Sequence, residues 1–272
     1  MVSSKIFMEE AKVRLHANDL NGAIQAAISH VKQKPTDTSA RTSLFELLIF
    51  AGEFDRAEKQ LDALGQQDAN ALIGTLIYRQ CLDAERQRQK VFRAEAMPHI
   101  LGETPQYVHQ LLDSIRLVNE GKLAEAREKL DEAETERVVH PGKLNDGREF
   151  QDFRDYNDLT ASVLEVFLKG GYVWLPISNI SRLEIQKPKH LRDLCWAQAT
   201  LETKDGGANG EVILPALYAN SFQNEDETIR LGRSTDWIDA GEEIYVGAGT
   251  RLFWIDGENL PIFEIETIEF QD

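Results

Sequence analysis

The first half of the chain is marked by apolar residues that recur with the period of an α-helix. Three segments repeat one spacing, i, i+3, i+7 and i+10, which places four side chains on one face of a helix. The three sets are Leu20, Ala23, Ala27 and His30; Phe54, Ala57, Leu61 and Leu64; and Leu123, Ala126, Leu130 and Ala133. Each set follows a short turn, at Asn18-Asp19, Gly52-Glu53 and Gly121-Lys122. The pattern predicts helical hairpins.

The interval between these segments is typical of tetratricopeptide repeats. Ala23 and Ala57 are 34 residues apart, and Ala57 and Ala126 are 69 apart, about twice that interval. A period near 34 residues belongs to tetratricopeptide repeats, in which a small Ala lets paired helices approach closely. The Trp, Gly and Tyr signature of the first repeat helix is absent.

Two more helices are predicted in this half. The apolar positions from Val108 to Ile115 have helical spacing, and we expect Thr104 to cap that helix with Pro105 in its first turn. Residues 68–93 form one long helical segment in which only Gly74 weakens the pattern.

The pattern changes beyond Pro141-Gly142, where apolar residues alternate with polar ones and Gly-rich turns separate them. The predicted strands are 172–177, 183–185, 199–203, 211–214, 244–246, 251–255 and 262–270, the last with a bulge or break. Residues 206–210 predict a hairpin turn, and 247–249 predict a hairpin bend. Residues 150–168 look helical.

The fold class predicted is therefore α+β. A tetratricopeptide-like helical hairpin domain (residues 1–140) precedes a mostly antiparallel α+β domain (residues 141–272). The length of 272 residues suffices for a core without disulfide or metal staples.

Composition and charge limit the classes of function. Hydrophobic residues make up 42% of the chain and charged residues 28%, which is typical of a soluble globular protein. No apolar run approaches the roughly 18–20 residues of a membrane span, and the N-terminus lacks the apolar stretch of a secretory signal. We expect a cytoplasmic protein with free, buried thiols at Cys81 and Cys195.

The net charge is −16, and the second part carries most of it. Residues 1–140 hold 18 Lys and Arg against 22 Asp and Glu, whereas residues 141–272 hold 12 against 24. This acidity argues against nucleic acid and anionic membranes as partners.

Sequence motifs for cofactors or metals are absent. The six His residues form no H-E-x-x-H or i, i+4 pair, and no phosphate-binding or nucleophile-elbow motif occurs, so neither cofactor nor metal is expected. His30 is interpreted as a packing residue with a hydrogen bond.

One acidic cluster leaves two interpretations open. Asp152, Asp155 and Asp158 are three residues apart. Carboxylates at this spacing on a helix either cap it and face solvent, or have a function, in general acid–base chemistry or in binding a cation.

A basic stripe is also open to interpretation. Arg79, Arg86 and Arg93 are spaced by seven residues, with Arg88 and Lys90 nearby. The stripe either accepts an acidic partner, docks on the acidic second part of the chain, or is a solvated face beside Asp83.

Several segments match, in the same order along the chain, sequence motifs of one family of bacterial proteins. In the helical part these lie within 22–35, 41–48, 52–57, 85–92 and 101–103. In the second part they are Asp146-Gly147, the Tyr-Val-Trp-Leu-Pro of 172–176, the Leu-Arg-Asp-Leu-Cys-Trp of 191–196 and the Arg-Ser-Thr-Asp-Trp of 233–237. These segments resemble the ImpE proteins, also called TagJ or SciE, which are accessory components of bacterial type VI secretion.

The resemblance extends from about residue 8 to 270 and has two departures. An Arg-Leu-Gly-Pro segment usual in the family is replaced by Asp158-Leu159-Thr160-Ala161, and the Arg of a Pro-x-Arg-Tyr motif is replaced by Leu217. If these positions form a partner surface, this member is expected to bind differently.

The resemblance implies an interaction protein and not an enzyme. Its expected partners are the small subunit of the contractile sheath, through a helix, and the ClpV-type unfoldase that recycles the sheath. Stacked hairpins expose a groove that takes such a helix by its apolar residues. The candidate contact residues are Arg41, Arg79, Arg86, Phe92, Arg93 and Tyr107. The alternatives are a general tetratricopeptide-like scaffold or chaperone, and a hydrolase that uses the Asp cluster.

Overall fold

The computed structural model describes residues 2–67 and 72–271. Helices make up the first part of these residues and strands dominate the second. The helices are α1 Val2–His16, α2 Leu20–Gln33, α3 Thr38–Phe50, α4 Phe54–Gln67, α5 Leu72–Phe92, α6 Gln106–Asn119, α7 Leu123–Glu136 and the short α8 Glu227–Arg230.

Three antiparallel hairpins, α1–α2, α3–α4 and α6–α7, confirm the tetratricopeptide-like prediction. The second helices of the hairpins are the three segments with the repeated spacing. Their Ala23, Ala57 and Ala126 are fully buried, which lets the paired helices approach closely. Each joining turn contains one residue with positive φ, at Asn18, Gly52 and Gly121.

The helix starts show what the sequence could and could not specify. Asp19 caps α2 by accepting a hydrogen bond from Gly22 N at 2.7 Å. The cap expected from Thr104 is wrong, because α6 begins after Pro105, which has no side-chain acceptor to offer. Residues 68–71, at the start of the long helix expected over 68–93, lie outside the described residues, and α5 is described from Leu72.

The described residues contain fourteen strands, of which the first lies between α5 and α6 and the others follow α7. They are β1 His99–Ile100, β2 Gly142–Leu144, β3 Glu149–Phe150, β4 Phe153–Asp155, β5 Val163–Leu168, β6 Gly171–Pro176, β7 Ile180–Ile185, β8 Trp196–Thr203, β9 Asn209–Pro215, β10 Thr235–Asp239, β11 Tyr245–Gly249, β12 Leu252–Ile255, β13 Glu258–Pro261 and β14 Thr267–Phe270.

The main sheet has nine strands in the order β1-β6-β5-β9-β8-β7-β14-β2-β3. Its pairs are antiparallel except for β1 with β6, so the mostly antiparallel α+β prediction is confirmed. The predicted hairpin joins β8 to β9 around the glycine-rich turn. Two smaller sheets pair β13-β12-β4 and β10-β11.

Two predictions for the second part are wrong. The helix expected over 150–168 is instead β3, β4, a 3-10 turn at 158–160 and β5. Gly247 and Gly249 do not form a hairpin bend but lie in β11, where their missing side chains leave room for the Tyr218 ring and the Ser234 backbone. The break expected within 262–270 is present, but its first part is a 3-10 turn and only β14 is a strand.

Two apolar cores lie on opposite faces of the main sheet. Alternate residues of β5 enter them, with Val163 and Phe167 facing the helices and Leu164 and Val166 facing the other core. The first core contains both helical residues and Trp174 and Trp196 of the sheet, so the two parts of the chain share it. Within the described residues, no helix is long and apolar enough to cross a membrane.

Candidate partner-binding surface

The arginine stripe of α5 pairs with acids of the helical part. Arg79 pairs with Asp62, and Arg86 Nη2 lies 2.9 Å from Asp55 and 2.7 Å from Glu58, all on α4. Arg93 Nη2 lies 3.0 Å from Glu95. These ion pairs are partly exposed, and such pairs contribute about 1 kcal/mol or less to folding.

The other three candidate residues sit in different surroundings. Arg41 is half-buried and donates to Pro35 O at 2.9 Å and to Gln60 Oε1 at 3.2 Å. Phe92 is buried beneath the Arg88 guanidinium, which lies 5.8 Å from its ring centroid. Tyr107 is buried too, with its hydroxyl 3.0 Å from Ser178 Oγ, and burial raises its pKa. The two aromatic rings therefore support the junction with the second part.

The second part of the chain covers one face of the helical hairpins. Glu227 accepts a 2.5 Å hydrogen bond from Leu20 N at the start of α2. The rings of Phe54 and Phe222 meet edge to face at 5.8 Å. Arg192 pairs with Glu46 of α3 and lies 4.7 Å from the Tyr78 ring centroid. A groove on this face is closed by the chain itself.

A buried ion network fastens α5 to the sheet. Arg88 is 2% exposed and donates from Nε to Glu165 Oε1 at 2.6 Å and from Nη2 to Leu217 O at 2.9 Å. Its Nη1 lies 3.3 Å from Glu85 one turn earlier in the helix. Arg88, and not the exposed stripe, is thus the basic residue of α5 that docks on the second part.

A second buried arginine completes the network from the other end of the chain. Arg251 donates from Nη1 to Asp155 and from Nη2 to Glu165, and from Nε to Pro215 O at 3.0 Å. The Tyr172 hydroxyl also donates to Glu165 Oε1, at 2.5 Å. Glu165 therefore joins two arginines that are more than 160 residues apart in sequence.

The carboxyl groups of this network differ in how strongly their surroundings favour the ionised form. Burial disfavours the ionised Glu165, but Arg88 and Arg251 outweigh burial and lower its pKa to about 2. Burial raises the pKa of Asp155 to about 6 against the pull of Arg251, and it raises the pKa of Glu85. Two guanidinium groups thus face three carboxyl groups, of which Glu165 holds its charge most firmly.

Sequence reasoning missed this network, although one signal was present. Glu165 is the only charged residue in the apolar run Val163–Leu168, and a charge inside a buried strand requires a partner. Nothing in the sequence shows that the partners are Arg88 and Arg251.

The three aspartates of the acidic cluster do not converge. Asp152 forms a bidentate pair with Arg137 at 2.7 and 2.6 Å. Asp155 is buried against Arg251, and Asp158 is half-buried and accepts from Tyr245 N at 2.7 Å. Asp155 and Asp158 line one cavity of about 380 Å³, and Asp152 does not. The arrangement of all three on one helix is wrong.

The departures from the family pattern lie at contacts within the chain. Asp158–Thr160 form a 3-10 turn, and Asp158 fastens it to β11 through Tyr245 N. The Leu217 carbonyl accepts a hydrogen bond from Arg88. The Leu217 side chain fills the space that any side chain at position 232, a glycine in this sequence, would need.

The cysteines and His30 are packing residues. Cys81 and Cys195 are buried free thiols, and burial raises the pKa of Cys81 to about 12 and that of Cys195 well above its usual value. Neither thiol ionises near neutral pH. His30 is buried and its Nε2 lies 3.0 Å from Asp37 Oδ2. Across 2–67 and 72–271, no group of three or more His, Cys, Asp or Glu is placed to hold a metal ion.

An open apolar surface lies at the start of α5. Ile73, Leu76 and Ile77 are 73%, 50% and 44% exposed, at the i, i+3 and i+4 positions of one helix face. A cavity of about 620 Å³ lies beside them, between α5 and the sheet. Its lining includes Ile77, Tyr78, Cys81, Phe167 and Ile213, with polar Gln198, Thr200 and Glu211 from β8 and β9. We call this cavity and the three exposed residues the α5 groove.

Comparisons with known proteins agree with these features. Residues 147–269 match the model of the family described as ImpE protein, and residues 14–77 match that of the tetratricopeptide repeat. A Pseudomonas aeruginosa protein named type VI secretion system accessory component TagJ is 34% identical over 96% of this chain and 91% of its own. A Vibrio parahaemolyticus protein of known crystal structure superposes with a TM-score of 0.89, at 27% identity over 96% of this chain and 97% of that one.

Proposed function

Because the chain belongs to the ImpE family, we propose that it is an accessory component of a bacterial type VI secretion system and works by binding other proteins. The support is the 34% identity to TagJ over nearly the whole length of both chains. Tetratricopeptide-like hairpins, whose common use is to hold partner segments, support a binding role. We place the protein in the cytoplasm, where its two thiols stay reduced.

The partner we propose is a helix of the small sheath subunit, with the ClpV-type unfoldase as the second candidate. The observation that carries this choice is the α5 groove. Ile73, Leu76 and Ile77 are exposed and spaced as one helix presents its side chains to another, and Ile77 also lines the cavity of about 620 Å³. Amphipathic helices bind such grooves through apolar residues at the same spacing.

The arginine stripe would supply the polar edge of this site. Arg79 lies one turn after Leu76, Arg86 lies two turns further along α5, and Arg93 directly follows its last residue. Their present partners are exposed acids, so exchanging them for acids of an incoming helix costs little. Arg41 is proposed as a further contact because it is bonded to α4 through Gln60. Phe92 and Tyr107 would act from beneath, by keeping α5 and α6 in place.

Isothermal titration calorimetry with the purified small sheath subunit, and separately with the unfoldase N-terminal domain, tests the proposal. Ile73→Ser is expected to weaken binding about tenfold, because burying an Ile side chain contributes on the order of 1.5–3 kcal/mol. The matched control is Ile238→Ser, an exposed Ile on β10 outside the groove, which should leave binding unchanged. Binding to neither protein would remove the proposal, and equal loss in both variants would move the site elsewhere.

A further inference from the structure

A second cavity, of about 380 Å³, lies against the β10–β11 hairpin and has no part in the proposed function. We call it the hairpin pocket. Three of its walls are the aromatic side chains of Tyr156, Trp237 and Tyr245. The rest of its lining is Arg154, Asp155, Asp158 and Asn259.

The aromatic walls are fixed by packing. The Tyr156 and Trp237 rings meet edge to face, with centroids 4.7 Å apart. Behind Trp237 lies Tyr218, at 5.6 Å, and the Tyr218 ring occupies the space that a side chain at Gly247 would need. Gly247 is the register partner of Trp237 in the hairpin. The Tyr156 and Trp237 rings are thus held in place by packing, whereas the Tyr245 ring is 44% exposed.

Asp158 is the carboxylate of the pocket with acceptor capacity to spare. It is half-buried and accepts one backbone hydrogen bond, from Tyr245 N at 2.7 Å. Among the described residues no Lys, Arg or His forms a salt bridge with Asp158. Burial raises the pKa of Asp158, although Arg127 and Arg154 are near enough to lower it. Asp155, by contrast, is engaged by Arg251.

Arg154 is the cation of the pocket wall; its Nε has no hydrogen-bond partner among the described residues, but its guanidinium also makes contacts outside the pocket. Its guanidinium lies 4.9 Å from the Trp254 ring centroid and 3.5 Å from Glu134. The hairpin segment 235–249 carries four acids, Asp236, Asp239, Glu242 and Glu243, and no Lys or Arg. The charge around the pocket therefore favours the approach of a cation.

We propose that the hairpin pocket binds the side chain of a Lys or Arg presented by another protein. The ammonium or guanidinium would lie against the aromatic faces and pair with Asp158. Cations bind aromatic faces within about 6 Å, and charge-assisted hydrogen bonds to a carboxylate add specificity. The cavity volume is within the range of about 300–1,000 Å³ typical of ligand sites. A small quaternary ammonium compound would bind through the same aromatic contacts, so the experiment has to distinguish it from a protein side chain.

Nuclear magnetic resonance titration of the Trp237 indole signal, assigned from the spectrum of a Trp237→Phe variant, tests the proposal. The titrants are pentapeptides with one central Arg, Lys, norleucine or Asp among glycines, and tetramethylammonium chloride. The Arg or Lys peptide is expected to shift the signal saturably, and the norleucine peptide is not. Binding of tetramethylammonium alone would overturn the assignment to a protein side chain.

Variants separate the pocket from general attraction to an acidic surface. Asp158→Asn keeps an acceptor for Tyr245 N but removes the charge, and should weaken peptide binding at least fivefold. Glu243→Gln removes the same charge from the exposed hairpin tip and should change it less than twofold. Tyr245→Leu, which removes one ring at an exposed position, should weaken binding about threefold and serves if Asp158→Asn does not fold.

Two results would contradict the proposal. One is unchanged affinity in both Asp158→Asn and Tyr245→Leu. The other is saturable binding of the Asp peptide that is lost in Arg154→Gln, since the pocket would then take an anion through Arg154.

Discussion

Glu165 links the helical part of the chain to the C-terminal strands through ion pairs with two buried arginines. Its carboxylate accepts from Arg88 of α5, from Arg251 at the start of β12 and from Tyr172 of β6. A buried ionic group of this kind adds little net stability, but removing Glu165 leaves Arg88 and Arg251 charged in the core with only Glu85 and Asp155 as carboxyl partners. The network therefore fixes how the helices sit on the sheet.

Glu165→Gln tests this role. We expect it to lower the free energy of unfolding by about 3–5 kcal/mol, because two buried guanidinium groups lose their shared charge. Urea denaturation measures the change. Glu202→Gln, at an exposed position on β8, is the control and should stay within about 0.5 kcal/mol of the parent. Equal stability of the two variants would show that the network does not hold the fold.

The pH dependence follows from the lowered pKa of Glu165. A carboxyl whose pKa falls from 4.5 to about 2 on folding stabilises the fold fully above pH 4.5 and loses this contribution as the pH falls towards 2. The contribution is on the order of 3 kcal/mol. Asp155, with its pKa raised to about 6, acts in the opposite sense as the pH falls from 6 to 4. The stability gap between the parent and Glu165→Gln should therefore shrink between pH 4.5 and 2.5, and a constant gap would contradict the assignment.

Single residues also show where sequence reasoning stops. The stripe of Arg79, Arg86 and Arg93 was visible from its spacing, because residues seven apart share a helix face. The partners of Arg88 were not, because Glu165 is 77 residues away and no local pattern encodes that distance. The exposure of Ile73, Leu76 and Ile77 also depends on what the sheet leaves uncovered.

Among the elements, the turn between α3 and α4 is a place where the second part of the chain packs against a helical hairpin. Gly52 has a φ of +69°, and the ring of Phe222 lies where its side chain would be. Gly121 occupies the same place in the α6–α7 turn, with a φ of +73° and no neighbour within 4 Å. The two turns differ in this one contact.

Alanine at the two glycines separates backbone strain from the Phe222 contact. Gly121→Ala should cost about 1–2 kcal/mol, the usual penalty for a side chain in the left-handed region. Gly52→Ala should cost about 1–3 kcal/mol more, because the new methyl group displaces Phe222. Thermal unfolding of both variants measures their difference in stability. Equal losses of stability would mean that the Phe222 contact does not stabilise the turn.

Helices and strands can be predicted from the sequence where one face of the element is exposed to solvent. The helices α2, α4, α6 and α7 follow from an amphipathic period of 3.6, and the strands β7 to β9 follow from a period of 2. The sequence of residues 150–168 resembles a helix because β5 is buried on both faces and shows no alternation, while three aspartates at helical spacing precede it. Both faces of β5 are covered by elements distant in sequence, which a local pattern cannot show.

On the scale of the whole molecule, the helical part and the sheet share one core. Phe45 of α3 and Tyr78 of α5 lie 6.3 and 6.4 Å from the Trp196 ring on β8. The second part also covers one face of the hairpins, whereas the α5 groove stays open. A shared core predicts that the two parts lose their structure together.

Unfolding in urea followed by two signals tests this cooperativity. Far-UV circular dichroism reports mainly the helices, whereas all four Trp residues lie in the second part and report on the sheet by fluorescence. We expect the two transitions to have the same midpoint and slope. Separate midpoints would show two independently folding domains.

The central claim is that this protein holds a helix of a type VI secretion protein in the α5 groove, and site-specific photo-crosslinking tests it most directly. A photoreactive residue is placed at Ile73 in one variant and at Ile238 in another, and each is irradiated with the purified small sheath subunit. We predict a crosslink from position 73 that maps to one helix of the sheath subunit, and none from position 238. A crosslink from position 238 alone, or from neither position in a complex shown to form, would contradict the claim.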